Sequence, residues 1–212
     1  MNTPHIYQPP AHKGLDIIYL DDYMLIVNKP AGLLTVPGKG ADKQDSLVSR
    51  VQLEFPEALI VHRLDMATSG LLILARNKTI QGKLGTMFQR KQIIKQYTAI
   101  VSGHMKIKQG TVNLPLITDW PNRPKQKVDF EMGKPSVTQY KVISHNPDNT
   151  TWVELIPITG RTHQLRVHMQ SLGHPIVGDK LYGLQEKAQV GRLLLHATFL
   201  KLKHPESGKT IE

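Results

Sequence analysis

The amino-acid sequence predicts an α+β fold in which short strands outnumber helices. Strand-like apolar runs recur along the whole chain, neighbouring runs are spaced like the arms of hairpins, and only three segments have a helical pattern. This combination is typical of a mixed, mainly antiparallel central sheet with flanking helices. The chain has 212 residues and is 40% hydrophobic, so it is large enough to bury a substantial core.

The predicted elements follow from apolar runs and from the residues that bound them. Residues 15–20 and 24–28 predict a β-hairpin across a short acidic turn. A helix capped by Asp45 or Ser46 ends at about Phe55, because the proline that follows cannot continue it. The later predicted elements are a strand at residues 70–76, a helix at 78–90, strands at 93–101, 137–144 and 151–158, a helix at 162–172 and a final strand at 193–202.

Domain organisation is predicted to be simple. The chain shows no internal repeat, no low-complexity segment and no long linker, so we expect one domain over residues 15–212. Residues 1–14 contain two adjacent prolines and predict a flexible N-terminal arm. Their composition does not match a secretory signal, and the longest apolar run, residues 71–75, is far too short to span a bilayer.

Charge and composition narrow the possible partners. The net charge of +10 favours a polyanion, most commonly nucleic acid, although a basic protein without such a partner is the alternative. The absence of cysteine excludes disulfides, thiolate zinc sites and a cysteine nucleophile, and it fits a reducing cytoplasm. No dinucleotide motif, P-loop or zinc-type histidine pair is present, so we expect neither cofactor nor metal, and the glycine-punctuated residues 173–183 predict a structural turn.

The segment VHRLDMATSGLLILARN, residues 61–77, contains the first candidate for catalysis. Asp65 lies on a turn of small residues that leads into a buried strand. Catalytic groups often lie on loops that a rigid element holds in place. An Asp in such a turn is more often structural, so this segment by itself leaves both interpretations open.

A second candidate segment, residues 159–168 (TGRTHQLRVH), places two Arg and two His at the start of a predicted helix. Helical spacing puts His163, Arg166 and Gln170 on one stripe, and we expect the opposite stripe to face the core. Because a helix N-terminus favours anions, Arg166 can bind a phosphate or a buried carboxylate, for which Asp65 is the candidate. The alternative is a solvated polar face.

Two further segments could bind an unstacked base. Lys95 and Tyr97 alternate onto one face of a predicted strand, where the ring could stack on a base or simply pack in the core. The loop at residues 119–127 combines one tryptophan with cations that include Arg123 and Lys125. It suits contact with phosphates and a base, and an ordinary surface loop is the alternative.

Taken together, the segments resemble the RluA-type family of RNA pseudouridine synthases. The resemblance rests on HRLDMATSGLLILA, IIKQYTAIVSG, GRTHQLRVHMQSLGHPIVGDKLYG and LLLHATFLKLKHP, in this order, and extends from about Leu15 to the end. It implies a pseudouridine synthase catalytic domain with a central RNA-binding cleft, without the S4-type RNA-binding domain that many members carry. It also implies that the protein is an isomerase that needs no cofactor. We expect the enzyme to be a monomer in the cytoplasm.

The resemblance assigns roles to individual residues and to the substrate. It implies that Asp65 is the essential carboxylate, that Tyr97 packs against the target uracil and that Arg166 pairs with the aspartate. Arg63 would enter the RNA stack as the target base leaves it. The implied substrate is a uridine in a stem-loop of 23S ribosomal RNA, of the tRNA anticodon, or of both. We predict RNA contacts for Arg63, His62, Arg161, His163, Gln164, Arg123 and Lys125.

Three alternatives compete with this interpretation. A basic RNA-binding or ribosome-associated module without chemistry would not need Asp65, Tyr97 and Arg166 as a set. A synthase of the same family could act on a different uridine. A glycosidase usually needs two carboxylates, whereas here one acid is surrounded by cations.

Overall fold

The computed structural model describes residues 7–184 and 191–212. The chain divides into two compact units. The first unit consists of residues 1–93 and 200–212, and the second consists of residues 94–199. Three α-helices accompany antiparallel strands in the described residues, which confirms the predicted α+β class. None of these helices is long and apolar enough to cross a membrane.

The N-terminal segment is bonded to the first unit where the structure describes it. The Tyr7 hydroxyl donates to the carbonyl of Asp45 at 3.0 Å and accepts the backbone N–H of Leu34 at 2.9 Å. Arg50 Nη2 donates to the carbonyl of Pro10 at 2.6 Å. Hydrogen bonds of the Tyr7 hydroxyl and the Arg50 guanidinium therefore hold this part of the predicted flexible arm against the first unit. The first six residues lie outside the described part, and the single domain stays a prediction.

The first unit contains an antiparallel sheet. Its strands are β1 (Ile17–Leu20), β2 (Met24–Lys29), β3 (Leu59–Ile60) and β4 (Ser69–Ala75). Strand β2 pairs with β1 and β4, and β3 also pairs with β4. The predicted hairpin is confirmed, and its turn is closed by the Asp21 carboxylate, which accepts the backbone N–H groups of Tyr23 and Met24.

Two helices of the first unit begin at capped positions. Helix α1 (Leu47–Glu54) starts after Ser46, whose hydroxyl accepts the Ser49 N–H while the Ser49 hydroxyl accepts the Ser46 N–H. This reciprocal arrangement is a capping box, which satisfies two backbone donors at once. Helix α2 (Lys78–Gln89) starts after Asn77, whose side chain accepts a backbone N–H of the first turn. Both predicted helices are confirmed within one or two residues.

The core of the first unit fixes strand β4, which follows the Asp65 turn. Ile80 and Leu84 of α2 are almost fully buried in one cluster with Met24 of β2 and Ile73 of β4. Burying each such side chain stabilises the fold by roughly 1.5–3 kcal/mol. The strand that leads out of the Asp65 turn is therefore held by packing on its helix-facing side.

The second unit contains a larger antiparallel sheet and a short separate hairpin. The strands are β5 (Ile94–Ser102), β6 (Gln109–Asn113), β7 (Leu116–Thr118), β8 (Gln126–Val128), β9 (Val137–Asn146) and β10 (Thr150–Pro157). The larger sheet has the order β5–β10–β9–β6, and β7 pairs with β8. Strands β6, β7 and β8 were not predicted, because each is short and none shows a clear apolar alternation.

Helix α3 (Gln164–Ser171) begins two residues later than predicted. The cause is His163, which has a left-handed φ of 53° and therefore stands outside the helix. Arg166 does not lie on an exposed cationic face, because it is only 4% exposed and every residue from Gln164 to Met169 is buried. The solvated polar face, which was the alternative interpretation of this segment, is excluded for the same reason. The helix is thus an internal element of the second unit along most of its length.

The chain ends in strands β11 (Leu195–Lys203) and β12 (Thr210–Ile211), which pair with each other. The predicted final strand is confirmed with a shift of one or two residues. Leu200 and Leu202 belong to the buried cluster of the first unit. The end of β11 therefore contributes to the same core as helix α2.

Candidate active site

Hydrogen bonds hold the backbone on both sides of Asp65. Before it, the carbonyl of Leu64 accepts a bond of 2.7 Å from the Thr35 hydroxyl. After it, the carbonyl of Met66 accepts Lys29 Nζ at 3.1 Å and a backbone N–H at 2.8 Å. The carboxylate itself is half-buried. The main chain of the turn is therefore fixed on both sides of Asp65, which places its side chain.

Lys29 is a central member of this arrangement and was missed in the sequence. It has no exposed surface, and its ammonium donates to the carbonyls of Pro30, Leu33 and Met66 at 2.9, 2.7 and 3.1 Å. Burial lowers the pKa of Lys29 to about 7, while the negative charge of Asp65 acts in the opposite direction. The only sequence signal was a lysine that directly ends the apolar run MLIVN.

His62 and Arg63 precede Asp65 but have different environments. His62 Nε2 accepts the backbone N–H of Ile73 at 3.0 Å, and the ring packs on Phe88 with centroids 4.5 Å apart. This imidazole therefore supports strand β4 from within the first unit. Arg63 is exposed. The RNA contacts expected for both side chains stay predictions.

In the second unit, Tyr97 lies on β5 opposite Leu155 of β10 and is half-buried. Lys95 lies two residues earlier on the same face, and burial lowers the pKa of its ammonium. A Cβ atom at Gly160 would lie 3.8 Å from Lys95 Nζ. The turn before helix α3 therefore passes beside the Lys-x-Tyr strand.

Arg166 forms a buried ion pair with Asp179. Its Nε and Nη2 donate to the two carboxylate oxygens at 2.7 and 2.8 Å, and the two side chains are only 5% and 0% exposed. Burial by itself raises the pKa of Asp179, but the Arg166 guanidinium and the backbone N–H groups of Leu181 and Tyr182 outweigh it and hold the pKa below its ordinary value. The glycine-punctuated turn thus supplies a charged partner that the sequence did not reveal. The pairing of Arg166 with Asp65 stays a prediction.

The residues around the start of helix α3 include both an internal and an exposed side chain. Gln164 is 3% exposed, and its amide accepts from the Thr159 hydroxyl and the Arg161 N–H and donates to the Val137 carbonyl, at 2.7, 3.0 and 2.9 Å. It closes the turn from inside the protein. Arg161 is exposed, with Nε 3.3 Å from a backbone carbonyl. RNA contacts of Gln164 and Arg161 stay predictions.

The β7–β8 hairpin carries the predicted base-binding loop. Trp120 is 67% exposed, and the Arg123 guanidinium carbon lies 4.5 Å from the centre of its ring. This stacked pair offers an aromatic face beside a positive charge. Lys125 is half-buried at the edge of an open cleft of about 290 Å³, which the hairpin and Gln170 of helix α3 line together. In the described residues, no group of three or more His, Asp or Glu side chains could hold a metal ion.

Comparison with known proteins agrees with the architecture of the chain. A family model described as RNA pseudouridylate synthase matches residues 23–171. The dual-specificity RNA pseudouridine synthase RluA of Escherichia coli (strain K12) is 51% identical over 206 residues, which cover 97% of this chain and 94% of that protein. The protein of the same name from Vibrio parahaemolyticus is 52% identical over 206 residues, which cover 95% and 82%.

Solved structures give the same result. Human RNA Pseudouridylate Synthase Domain Containing 1 superposes with a TM-score of 0.81 at 32% identity, over 97% of this chain and 84% of that chain. Human RNA Pseudouridylate Synthase Domain Containing 4 superposes with a TM-score of 0.73 at 27% identity, over 88% and 83%. With the family match over most of the chain and the extended similarity to RluA proteins, the chain belongs to the RNA pseudouridylate synthase family.

Proposed function

We propose that this protein isomerises a specific uridine to pseudouridine in two kinds of RNA, a stem-loop of 23S ribosomal RNA and the tRNA anticodon stem-loop. The observation that carries the proposal is the identity of about 50%, over nearly the whole chain, to proteins that are named dual-specificity RNA pseudouridine synthases. The net charge of +10 supports an RNA substrate. We further propose that the protein works as a monomer in the cytoplasm.

The reaction needs one well-placed carboxylate, which we assign to Asp65. The N1–C1′ bond of the uridine breaks, the base turns, and a C5–C1′ bond forms. The proton leaves C5 and N1 gains one, so that the product is an isomer and no oxidant or water is consumed. The Asp65 carboxylate can attack C1′ as a nucleophile or remove the 2′ proton as a base. Hydrogen bonds to the residues on both sides of Asp65 support either role, because they fix its backbone.

We assign the remaining catalytic roles to the second unit. Tyr97 would stack on the flipped uracil, and Arg166 would pair with Asp65. The pair of Arg166 with Asp179 supports this assignment, because it fixes the plane and direction of the guanidinium through Nε and Nη2. Arg63 would occupy the gap left in the RNA stack when the base is flipped out.

RNA binding is assigned to exposed and half-exposed groups of the second unit. The Trp120–Arg123 pair would take an unstacked loop base, and Lys125, Arg161 and His163 would contact phosphates or nearby base edges. Such a division separates binding from chemistry. Loss of the single carboxylate should therefore stop turnover without releasing the RNA.

The proposal is tested by mapping pseudouridine in total RNA from cells that lack the protein. Restoring the wild-type gene should restore one site in 23S ribosomal RNA and one in tRNA. Restoring an Asp65→Asn variant should restore neither, and the purified variant should still bind an anticodon stem-loop with close to wild-type affinity. Tritium release from C5-labelled uridine measures turnover directly. An unchanged pseudouridine map in the deleted strain would refute the substrate assignment, and turnover by Asp65→Asn near the wild-type rate would refute the role of Asp65.

A further inference from the structure

Tyr182 connects three parts of the second unit through one side chain. It is 6% exposed, and its hydroxyl oxygen accepts the backbone N–H of Gln126, at the start of strand β8, at 2.7 Å. The same hydroxyl lies 2.7 Å from Nδ1 of His163, directly before helix α3. The ring lies under the Arg166 guanidinium, whose carbon is 5.0 Å from the ring centre. The hairpin, His163 and Arg166 therefore all contact one phenol.

The bond from Gln126 restricts the direction of the second bond at the Tyr182 hydroxyl. The Gln126 N–H can only donate, so the Tyr182 oxygen accepts that bond. The hydroxyl proton is then available for Nδ1 of His163, which accepts it in the tautomer that is protonated on Nε2. A neutral imidazole that accepts at Nδ1 carries its proton on Nε2. The bond to the phenol thus fixes the orientation of the His163 ring and favours the tautomer that is protonated on Nε2.

His163 is held unusually at its backbone as well. Its φ of 53° is uncommon for a residue other than glycine and lies in the region that histidine and asparagine tolerate best. This conformation ends the incoming turn and lets helix α3 begin at the next residue. Backbone geometry and the bond to Tyr182 together fix His163 directly before the helix that carries Arg166.

We propose that Tyr182 is a positioning residue that joins the RNA-binding hairpin to helix α3 and presents His163 to RNA as an Nε2–H donor. The chemical group it would meet is an RNA oxygen, from a phosphate or from a base edge. This inference rests on the proposed function, since it assumes that the hairpin and His163 bind RNA. It predicts that RNA affinity depends on the Tyr182 hydroxyl, whereas the contact with Arg166 depends on the ring.

The test compares Tyr182→Phe with a matched control, Tyr140→Phe. Both tyrosines are nearly buried in the second unit, and both changes keep the ring, but only Tyr182 contacts the hairpin and His163. KM and kcat are measured on a tRNA anticodon stem-loop, and binding is measured on the same RNA by fluorescence anisotropy. Loss of the hydroxyl should raise KM and Kd by about three- to tenfold, with a smaller change in kcat. Tyr140→Phe should change neither constant.

A second variant and a spectroscopic measurement separate positioning from general loss of structure. His163→Asn keeps a backbone-compatible residue and a side-chain acceptor for Tyr182 but removes the imidazole Nε2–H. It should weaken RNA binding as much as Tyr182→Phe does. The double variant should bind the RNA no more weakly than the single variant with the lower affinity. Ring ¹⁵N chemical shifts of His163 should show a protonated Nε2 and an unprotonated Nδ1 in the wild type, and averaging of the two tautomers in Tyr182→Phe.

The outcomes decide between the inference and the function on which it rests. Constants for Tyr182→Phe equal to those of Tyr140→Phe, or a wild-type His163 protonated on Nδ1, would overturn the inference while the enzyme remained active. A wild-type protein that binds the stem-loop without forming pseudouridine would count against the proposed function alone. Anisotropy and the ¹⁵N shifts would then still test Tyr182.

Discussion

Replacing Asp179 by Asn should destabilise the second unit by about 3–5 kcal/mol. One carboxylate oxygen of Asp179 accepts Arg166 Nη2 at 2.8 Å and the N–H groups of Leu181 and Tyr182 at 2.9 and 3.1 Å, while the other accepts Arg166 Nε at 2.7 Å. Asn keeps the first oxygen but places an NH₂ group against the Nε donor. The Arg166 side chain, only 5% exposed, then loses the counter-charge of Asp179, and breaking a buried pair in this way costs about 3–5 kcal/mol. A domain has only about 5–15 kcal/mol of stability in total.

The assay can report on the second unit by itself. Trp120 and Trp152, the two tryptophans of the chain, both belong to that unit, so urea unfolding followed by their fluorescence measures its stability. Asp129→Asn, which removes a more exposed ion pair of the same unit, is the matched control and should have a far smaller effect. A loss below about 1 kcal/mol in Asp179→Asn would refute the reasoning.

The pH dependence gives an independent check of the same pair. The pKa of Asp179 is lower in the folded protein than in the unfolded chain, so the carboxylate stabilises the fold above the unfolded value of about 3.9. As the pH falls below about 4, the unfolded chain takes up a proton first and this stabilisation is lost. The difference in free energy of unfolding between the wild type and Asp179→Asn should therefore have its full value at pH 6 and decrease at acidic pH. A difference that is independent of pH down to about 3 would contradict the ionic interpretation.

Arg166, Lys29 and Trp120 can each be tested by a single substitution. Arg166→Lys should lower kcat by about tenfold or more on an RNA stem-loop, because an ammonium cannot form the planar two-bond contact with Asp179; near-normal turnover would speak against it. The pKa of Lys29 is lower in the folded protein than in the unfolded chain, so the cost of burying its charge is full below pH 7 and declines toward pH 10.5. Between pH 7.5 and 9.5, the free energy of unfolding of the wild type should therefore rise by up to about 3 kcal/mol relative to that of Lys29→Met, as measured by denaturant unfolding. A difference between the two proteins that does not change with pH would contradict this. Trp120→Ala should raise the Kd for the stem-loop at least about tenfold. Trp152→Ala, which removes the other partly exposed tryptophan, should leave that Kd unchanged. Equal effects of the two changes would contradict stacking of an RNA base on Trp120.

The sequence predicted those parts of the fold that local patterns determine. The helix cap at Asp45 or Ser46, the buried strand after Asp65 and the helix at residues 78–90 all have signals within a few residues, and the structure agrees with each and identifies Ser46 as the cap. The hairpin at residues 116–128 has strands of three residues, and no apolar alternation can be recognised over so short a span. Local pattern was therefore sufficient for long elements and insufficient for this one.

Partners distant in sequence could not be predicted from local pattern. Arg166 was expected to bind a phosphate or the Asp65 carboxylate, but it also pairs with Asp179, thirteen residues later, whose charge makes the burial of Arg166 possible. Lys29 reaches a carbonyl 37 residues away, and Tyr182 reaches a backbone N–H 56 residues away. Candidate catalytic residues such as Asp65 and Arg166 were recognised from sequence motifs. The residues that position them, Lys29, Asp179 and Tyr182, had no distinctive pattern in the sequence.

The burial of Lys29 also makes it a natural reporter of motion at the Asp65 turn. Amine-reactive reagents cannot reach an ammonium that has no exposed surface and is bonded to three carbonyls, so Lys29 reacts only when the segment opens. The labelling rate at this one lysine, divided by that of an ordinary exposed lysine, therefore gives the fraction of time that the turn spends open. Mass spectrometry of the labelled protein, with and without RNA, would measure how far substrate binding closes the turn.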